Sequence, residues 1–425
     1  MPNLPAVEPS SEGLPPLTGW RKTFAALHNT NYRFFYMGQG LSLVGIWARS
    51  AALSWLAFQL TRSEFLLGLV ATLNALPILL FSTYAGSLAD RISKLGIFRL
   101  TSCFALLSSL ILAILLFRGP VNIGTLFVFS ALWGVSTAFE MPARQSLMVE
   151  LVGRRDLVNA IALNSAMVNA TRVIGPAVGG ILYTAFGPAW CFLLDASSYL
   201  AVLYAISKIK PAPTHAKVAR PDLKYILEGF QHLRDSPLLG RTMLLLCVMT
   251  LGGWPYLSQL PALADTRLHL TARGYGWLLA MVGLGACVAA LTVATLGSAL
   301  VKEKTLYTGI GLYSVFVVLC GMEKDPLESA FLLFLTGFGL ILFFSTGNSL
   351  IQSRSPDRLR GRLMGIWALV FGGGMPFGSL WMGVVAQKFG SGTAIQLGGV
   401  FCALGALAVH GLFKKNAHFK SVSQV

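Results

Sequence analysis

The chain has 425 residues, of which 55% are hydrophobic and 12% charged, against roughly 25% charged in an ordinary soluble domain. With a mean hydropathy of +0.66 this excludes a soluble enzyme of ordinary design, because such a protein would expose far more apolar surface than water tolerates, whereas a bilayer accepts it. The formal charge of +16 would suggest nucleic acid in a soluble protein, so the placement of the charges decides what it means.

Residues 1–30 are polar and Pro-rich, with Arg21 and Lys22 but no short apolar core before a cleavage site, so they read as a cytoplasmic tail and the first apolar run as a permanent one. A run of about 18 or more apolar residues crosses the hydrocarbon as a helix. Twelve such runs follow, at about 34–60, 66–89, 97–117, 122–149, 157–183, 189–207, 239–263, 274–300, 305–321, 328–352, 361–386 and 392–413. Barrel strands are excluded, since they would alternate apolar and polar residues. The expected fold is an all-α polytopic membrane protein with a six-helix bundle over 31–208, a cytoplasmic linker over 209–238, a second six-helix bundle over 239–413 and a cytoplasmic tail over 414–425. The linker carries Pro211, Pro213, Pro221 and Pro237 and the densest basic charge. The six cysteines stand singly in apolar stretches, which points to buried thiols and no metal cluster.

The halves are related by sequence. At an offset of 203 residues, Ser146/Ser349, Leu147/Leu350, Arg155/Arg358, Gly175/Gly378, Gly180/Gly383, Phe186/Phe389 and Gly187/Gly390 coincide without a gap. Parallel repeats of six helices are the arrangement in which two halves enclose a central site and rock about it. With the N-terminus inside, 24 Lys and Arg fall on the cytoplasmic side and 6 on the other, while ten and five acids give net charges of about +14 and +1. Both termini are therefore expected in the cytoplasm, and the basic excess is topology rather than a nucleic-acid surface.

Five ionisable residues remain inside the spans, all in the first half: Arg49, Glu140, Arg144, Arg172 and Asp195. Charges at this depth face a partner or a wet cavity. Glu140 and Arg144 share one helix face four residues apart and can bridge. They are the expected proton-coupling pair, since a carboxylate in the membrane can take up and release a proton while the arginine sets when it does. Asp195 and Arg172 differ in depth by roughly 6 Å, which an arginine stem can span; either they pair or each serves the cavity. Arg49 has no acid at its own depth in its helix and is the strongest candidate for a cavity cation. Asn164, Asn169, Trp133, Gln259 and Asn348 complete the expected substrate cavity. Trp47, Trp254, Trp367, Asn74 and Asn159 are weaker candidates for the same walls.

Gly86-Ser-Leu-Ala-Asp90-Arg91-Ile-Ser-Lys94, at the inner end of the second span, resembles the loop signature of the major facilitator superfamily. That resemblance implies a cytoplasmic gate formed by Gly86, Asp90, Arg91 and Lys94, with the Asp and Arg contacting the fourth and eleventh helices in the outward-facing state. The counterpart at 297–304 has degenerated. The segments Met141-Pro-Ala-Arg-Gln-Ser-Leu-Met, Asp156-Leu-Val-Asn-Ala-Ile-Ala-Leu-Asn-Ser and Arg172-Val-Ile-Gly-Pro-Ala-Val-Gly-Gly are similar to the enterobactin exporter-like branch of that superfamily, the transmembrane secretion effectors. The resemblance extends over about residues 30–412. Gly175, Pro176, Gly179 and Gly180 also resemble the antiporter signature of drug exporters, which implies a hinge between the halves; Thr171 stands where that signature has another glycine. The Gly372-Gly373-Gly374 run with Pro376 is a candidate counterpart in the eleventh span.

No P-loop, HExxH or GxSxG motif occurs in the sequence, so neither ATP-driven pumping nor intramembrane enzymology is expected. The expectation is a bacterial inner-membrane secondary transporter, acting as a monomer without ATP, cofactor or metal. It would export a siderophore-like or drug-like amphiphile by alternating access, with the proton gradient as energy source and proton antiport as the mode. Two cavity arginines favour an anionic or phenolic substrate. An importer or facilitator of a small metabolite is the alternative, because fold does not fix direction.

Overall fold

The computed structural model describes residues 24–89, 92–209, 223–297 and 302–422. Residues 1–23 of the N-terminal tail, Asp90, Arg91 and residues 210–222 of the linker lie outside the described residues. Every regular element among the described residues is helical. The spans of the first half are α1 (Thr30–Thr61), α2 (Glu64–Ala89), α3 (Lys94–Arg118), α4 (Ile123–Gly153), α5 (Asp156–Phe186) and α6 (Pro188–Lys208). A linker helix α7 (Leu223–Asp235) precedes α8 (Pro237–Thr266), α9 (Ala272–Leu296), α10 (Lys302–Met322), α11 (Pro326–Arg354), α12 (Asp357–Phe389) and α13 (Ser391–Val422). Twelve of these helices are long and apolar enough to cross a bilayer, as the sequence pattern requires.

Helix starts and stops follow local chemistry. The Asn29, Ser93, Asn122 and Asp325 side chains accept from amides of the first turns of α1, α3, α4 and α11, satisfying donors that have no intrahelical acceptor. Gly187 (φ 91°) and Gly390 (φ 84°) end α5 and α12 in the same left-handed, extended conformation, which residues with a Cβ avoid. The duplication seen in sequence is thus repeated in backbone geometry. Gly153 (φ 71°) makes the break between α4 and α5, where the second half has Ser355-Pro356 between α11 and α12.

Within the first half α1 packs against α5 and α6, α3 against α4 and α6, and α2 against α4. Glycines permit these approaches: a Cβ at Gly45 would stand 2.5 Å from Ser198 Oγ and 3.0 Å from Asp195 Cα, and one at Gly134 2.3 Å from Asn74 O. In the second half α11 packs against α9 and α10, and α13 against α10 and α12. The halves meet along α2 with α12 and α5 with α9. The linker helix packs on α8 and α12 of the second half, with Glu228 paired to Arg362 of α12 and Gly229 against Ile366. The linker helix, the start of α1 and the end of α13 share one face of the bundle, called here the linker face; the other is the distal face.

Candidate transport cavity

The seventh span is not a continuous α-helix. Met249–Gly253 forms a π turn in the middle of α8, followed by Trp254-Pro255. Such turns displace side chains and free backbone groups. Trp381 donates to the Leu251 carbonyl (2.7 Å) and Tyr313 to the Gly253 carbonyl (2.6 Å), so α12 and α10 capture two carbonyls of the turn. The result presents Trp254, Pro255 and Ser258 to the centre of the molecule.

There, between the halves, lies a cavity of about 390 Å³. Trp47, Arg49 and Ser54 of α1, Asn74 of α2, Trp133 and Thr137 of α4, and Arg172 and Pro176 of α5 form one wall. Trp254 and Ser258 of α8, Tyr275 and Val282 of α9, Leu340 and Ile341 of α11, and Met375 and Ser379 of α12 form the other. Apolar and aromatic surface with a few convergent polar groups is the usual make-up of a small-molecule site.

On the distal side the cavity is closed in layers. Trp55 of α1 stacks on Tyr275 of α9 with centroids 5.5 Å apart. Beyond it the halves cross at two glycine pairs, Gly68 with Gly383 and Gly180 with Gly276, where an added Cβ would approach the partner Cα to 3.0–3.2 Å. At the surface Arg62 pairs with Asp265, Ser63 donates to Gln387 Oε1 (2.7 Å), and the Arg273 amide donates to Thr184 Oγ1 (3.0 Å).

The two cavity arginines have different surroundings. Arg49 Nη1 bonds Asp195 Oδ2 at 2.8 Å, and its guanidinium carbon sits 4.3 Å above the Trp133 ring, which stacks parallel on Phe192. Asp195 is fully buried, and Ser109 of α3 donates to the same oxygen. Arg172 lies 5.4 Å over the Trp47 ring and near Tyr256, with no carboxylate in ion-pair range among the described residues. Of the two alternatives for Asp195 and Arg172, pairing with each other is therefore corrected: Asp195 pairs with Arg49, which has no acid at its own depth in α1 and finds its carboxylate on α6. Depth counted from helix ends ignores helix face. Asp195 faces α1 and α3 because Gly45 draws α6 against α1, whereas Arg172 faces the cavity.

Glu140 and Arg144 bridge at 3.8 Å on α4, and Glu140 is buried. Seven residues separate Glu140 from Trp133, so it lies about 10 Å nearer the linker face. Neither Glu140 nor Arg144 is among the cavity-lining residues.

Of the polar residues expected in the cavity, Trp133 lines it, and four do not. Gln259 is fully buried between the halves, donating to the Glu64 carbonyl (3.3 Å). Asn169 donates to Ser165 O on its own helix, Asn348 accepts from Gln352, and Asn164 is half-buried away from the cavity. Asn159 accepts from the Ala26 amide near the linker face. Asn159, Asn164 and Asn169 are spaced five residues apart, whereas a helix turns every 3.6 residues, so they diverge around α5.

In the hinge segment, an added Cβ at Gly175 would stand 2.4 Å from Trp47 Cβ and one at Gly179 2.8 Å from Ala48 Cα, while Gly180 meets α9. Of the expected gate, Gly86 has open space around it, Lys94 pairs with Glu150 of α4, and Asp90 and Arg91 lie outside the described residues. Sequence reasoning missed most of the second-half wall, which carries no charge; Gly252-Gly253-Trp254-Pro255 was its one punctuated signal. A separate crevice of about 550 Å³ beside α3 and α4 is lined by residues such as Ile97, Phe104 and Phe139, with no ionisable group among the described residues.

The family model described as "transmembrane secretion effector" matches residues 21–423. The staphyloferrin A transporter of Staphylococcus aureus is 25% identical over 366 residues, covering 84% of this chain and 90% of that protein. The enterobactin exporter EntS of Shigella boydii is 26% identical over 361 residues, covering 79% and 80%. The multidrug efflux pump Tap of Mycolicibacterium fortuitum is 25% identical over 385 residues, covering 88% and 91%. In fold, the chain resembles the nucleoside transporter NupG (TM-score 0.75, 10% identity, 90% of this chain and 100% of that one). It also resembles a bacterial homologue of the lysosomal transporter Spinster (TM-score 0.67, 14% identity, 94% and 98%).

Proposed function

Because the chain belongs to the transmembrane secretion effector family and is a multi-pass membrane transporter rather than an enzyme, we propose that it exports a small anionic or phenolic amphiphile across the bacterial inner membrane by alternating access. The observation that carries this reading is the cavity itself: closed toward the distal face, walled by Trp47, Trp133 and Trp254, and holding in Arg172 a cation with no carboxylate partner among the described residues. Such a site leaves one positive charge for the ligand to neutralise. The names of the relatives, two concerned with siderophores and one with multidrug efflux, support export of a siderophore-like or drug-like molecule.

The excess of Lys and Arg supports a cytoplasmic linker face; with that orientation, closure of the distal face corresponds to the inward-facing state. The transporter works as a monomer on the proton gradient, without ATP, metal or cofactor. Protons move inward as substrate moves out, and Glu140 with Arg144 forms the coupling pair, since this carboxylate is buried with a single arginine one turn away. Gly175, Pro176, Gly179 and Gly180 serve as the hinge of α5 between α1 and α9.

The test is transport into and out of proteoliposomes energised by a proton-motive force. Glu140→Gln should lose uphill export yet keep counterflow exchange of labelled substrate. Full uphill export by Glu140→Gln would refute the coupling assignment, and pH-independent, unidirectional uptake would refute export.

A further inference from the structure

Arg49 and Asp195 form a pair with unequal access. Arg49 is part of the cavity wall; Asp195 stands behind it, fully buried and outside the lining. Asp195 Oδ2 accepts from Arg49 and Ser109, while Oδ1 is buried without a partner. The surrounding groups come from every packed element: Arg49 on α1, Ser109 on α3, Glu140 and beyond it Arg144 on α4, and Tyr199 on α6, which lies beside both Arg49 and Glu140. Among these, Arg49 is the cation in contact with the carboxylate. A buried carboxylate deprived of its cation is strongly disfavoured, and the favoured resolution is that it becomes neutral.

We infer that Arg49 and Asp195 act as an exchange switch, in which an acidic group of the substrate takes the Arg49 guanidinium and Asp195, released, takes a proton, so that anion and proton bind together. The inference rests on the reading of the cavity as an anion site. The charges balance: the pair Arg49⁺ and Asp195⁻ becomes Arg49⁺ with the bound anion, plus neutral Asp195, and the proton comes from water in the cavity. Trp133, fixed against Phe192, supports the guanidinium in both arrangements. Asp195 is thus a positioning residue that acts on substrate through Arg49. The proton on Asp195 is taken up as the anion binds and is distinct from the counter-moving proton assigned to Glu140.

Infrared difference spectroscopy of the purified protein reads the switch through the carbonyl band of a protonated carboxylic acid, with salicylate as the anion. At neutral pH salicylate should raise one such band in the wild type and none in Asp195→Asn, and Arg49→Gln should show the band without any ligand. Calorimetry of the wild type in two buffers of different ionisation enthalpy should give about one proton taken up per salicylate bound, which keeps the test independent of how well the variants fold. Binding without proton uptake, a band that persists in Asp195→Asn, or an ionised Asp195 in Arg49→Gln would each overturn the switch. Failure of salicylate to bind the wild type would overturn the anion reading and the exchange with it, even if Arg49→Gln carried the band.

Discussion

Arg62 and Asp265 meet on the distal face: Arg62 caps the end of α1 and Asp265 lies in the last turn of α8, the corresponding spans of the two halves, and their opposite charges make the contact attractive. The Arg62 side chain is 60% exposed, so the pair contributes only about 0.2–1 kcal/mol.

Arg62→Ala should therefore shift the balance between closed and open distal faces by no more than about fivefold. Distances between spin labels at Arg118 and Lys324, read by double electron–electron resonance, give those populations. The exchange Arg62→Asp with Asp265→Arg should restore the wild-type distribution. A shift of tenfold or more from Arg62→Ala alone would show that the pair, rather than the packing beneath it, holds the face closed.

The glycine crossings should matter more. A Cβ at Gly180 would stand 2.7 Å from the Ala272 carbonyl and 3.2 Å from Gly276 Cα, both backbone atoms that cannot swing aside. Gly180→Leu should open the distal face in the same spin-label experiment and lower transport by more than Arg62→Ala does. Gly311→Ala, at a helical glycine of α10 with open space around it, is the control and should leave the distribution unchanged. Equal behaviour of the two substitutions would remove the crossings from the closing mechanism.

The twelve spans were legible in the sequence because the bilayer fixes helix length, and the ends of α5 and α12 because the same glycine recurs there, at Gly187 and Gly390. The cations of the cavity were legible too, since a charge in a spanning helix needs a reason. What the sequence concealed was partnership. Arg49 finds Asp195 only because Gly45 brings α6 close enough, and a glycine among 44 does not announce which helix it admits. The second-half wall was hidden for another reason: Trp254, Tyr275 and Leu340 reach the cavity through a π turn and helix packing, and apolar residues in an apolar chain carry no contrast.

Arg49 and Asp195 should be strongly non-additive in stability. Removing Arg49 forces the buried Asp195 to take up a proton, and removing Asp195 leaves the Arg49 charge unpaired, each at a cost of about 3–5 kcal/mol, whereas replacing both by neutral groups removes the penalty along with the attraction. Unfolding in detergent by a graded denaturant should show Arg49→Gln and Asp195→Asn each strongly destabilised and the double variant close to the better of the two. If the losses summed, the pair would not be the coupled unit that its 2.8 Å contact implies.

Arg172 tests substrate charge separately from stability. It has no carboxylate partner among the described residues and contacts the Trp47 face, so Arg172→Gln leaves no opposite charge stranded and should fold normally. A charge-assisted hydrogen bond to a ligand is worth about 1.5–3 kcal/mol, so an anionic substrate should lose about 10- to 150-fold in affinity, while an uncharged analogue of the same shape loses little. The change should fall on KM, with the maximal rate of counterflow retained, because Arg172 lies in the cavity and apart from the Glu140–Arg144 pair. Arg172→Lys should recover part of the affinity, since an ammonium keeps the charge but not the planar stacking on Trp47. Equal losses for charged and uncharged ligands would mean that Arg172 shapes the cavity without reading charge, and the anionic substrate class would fall with it.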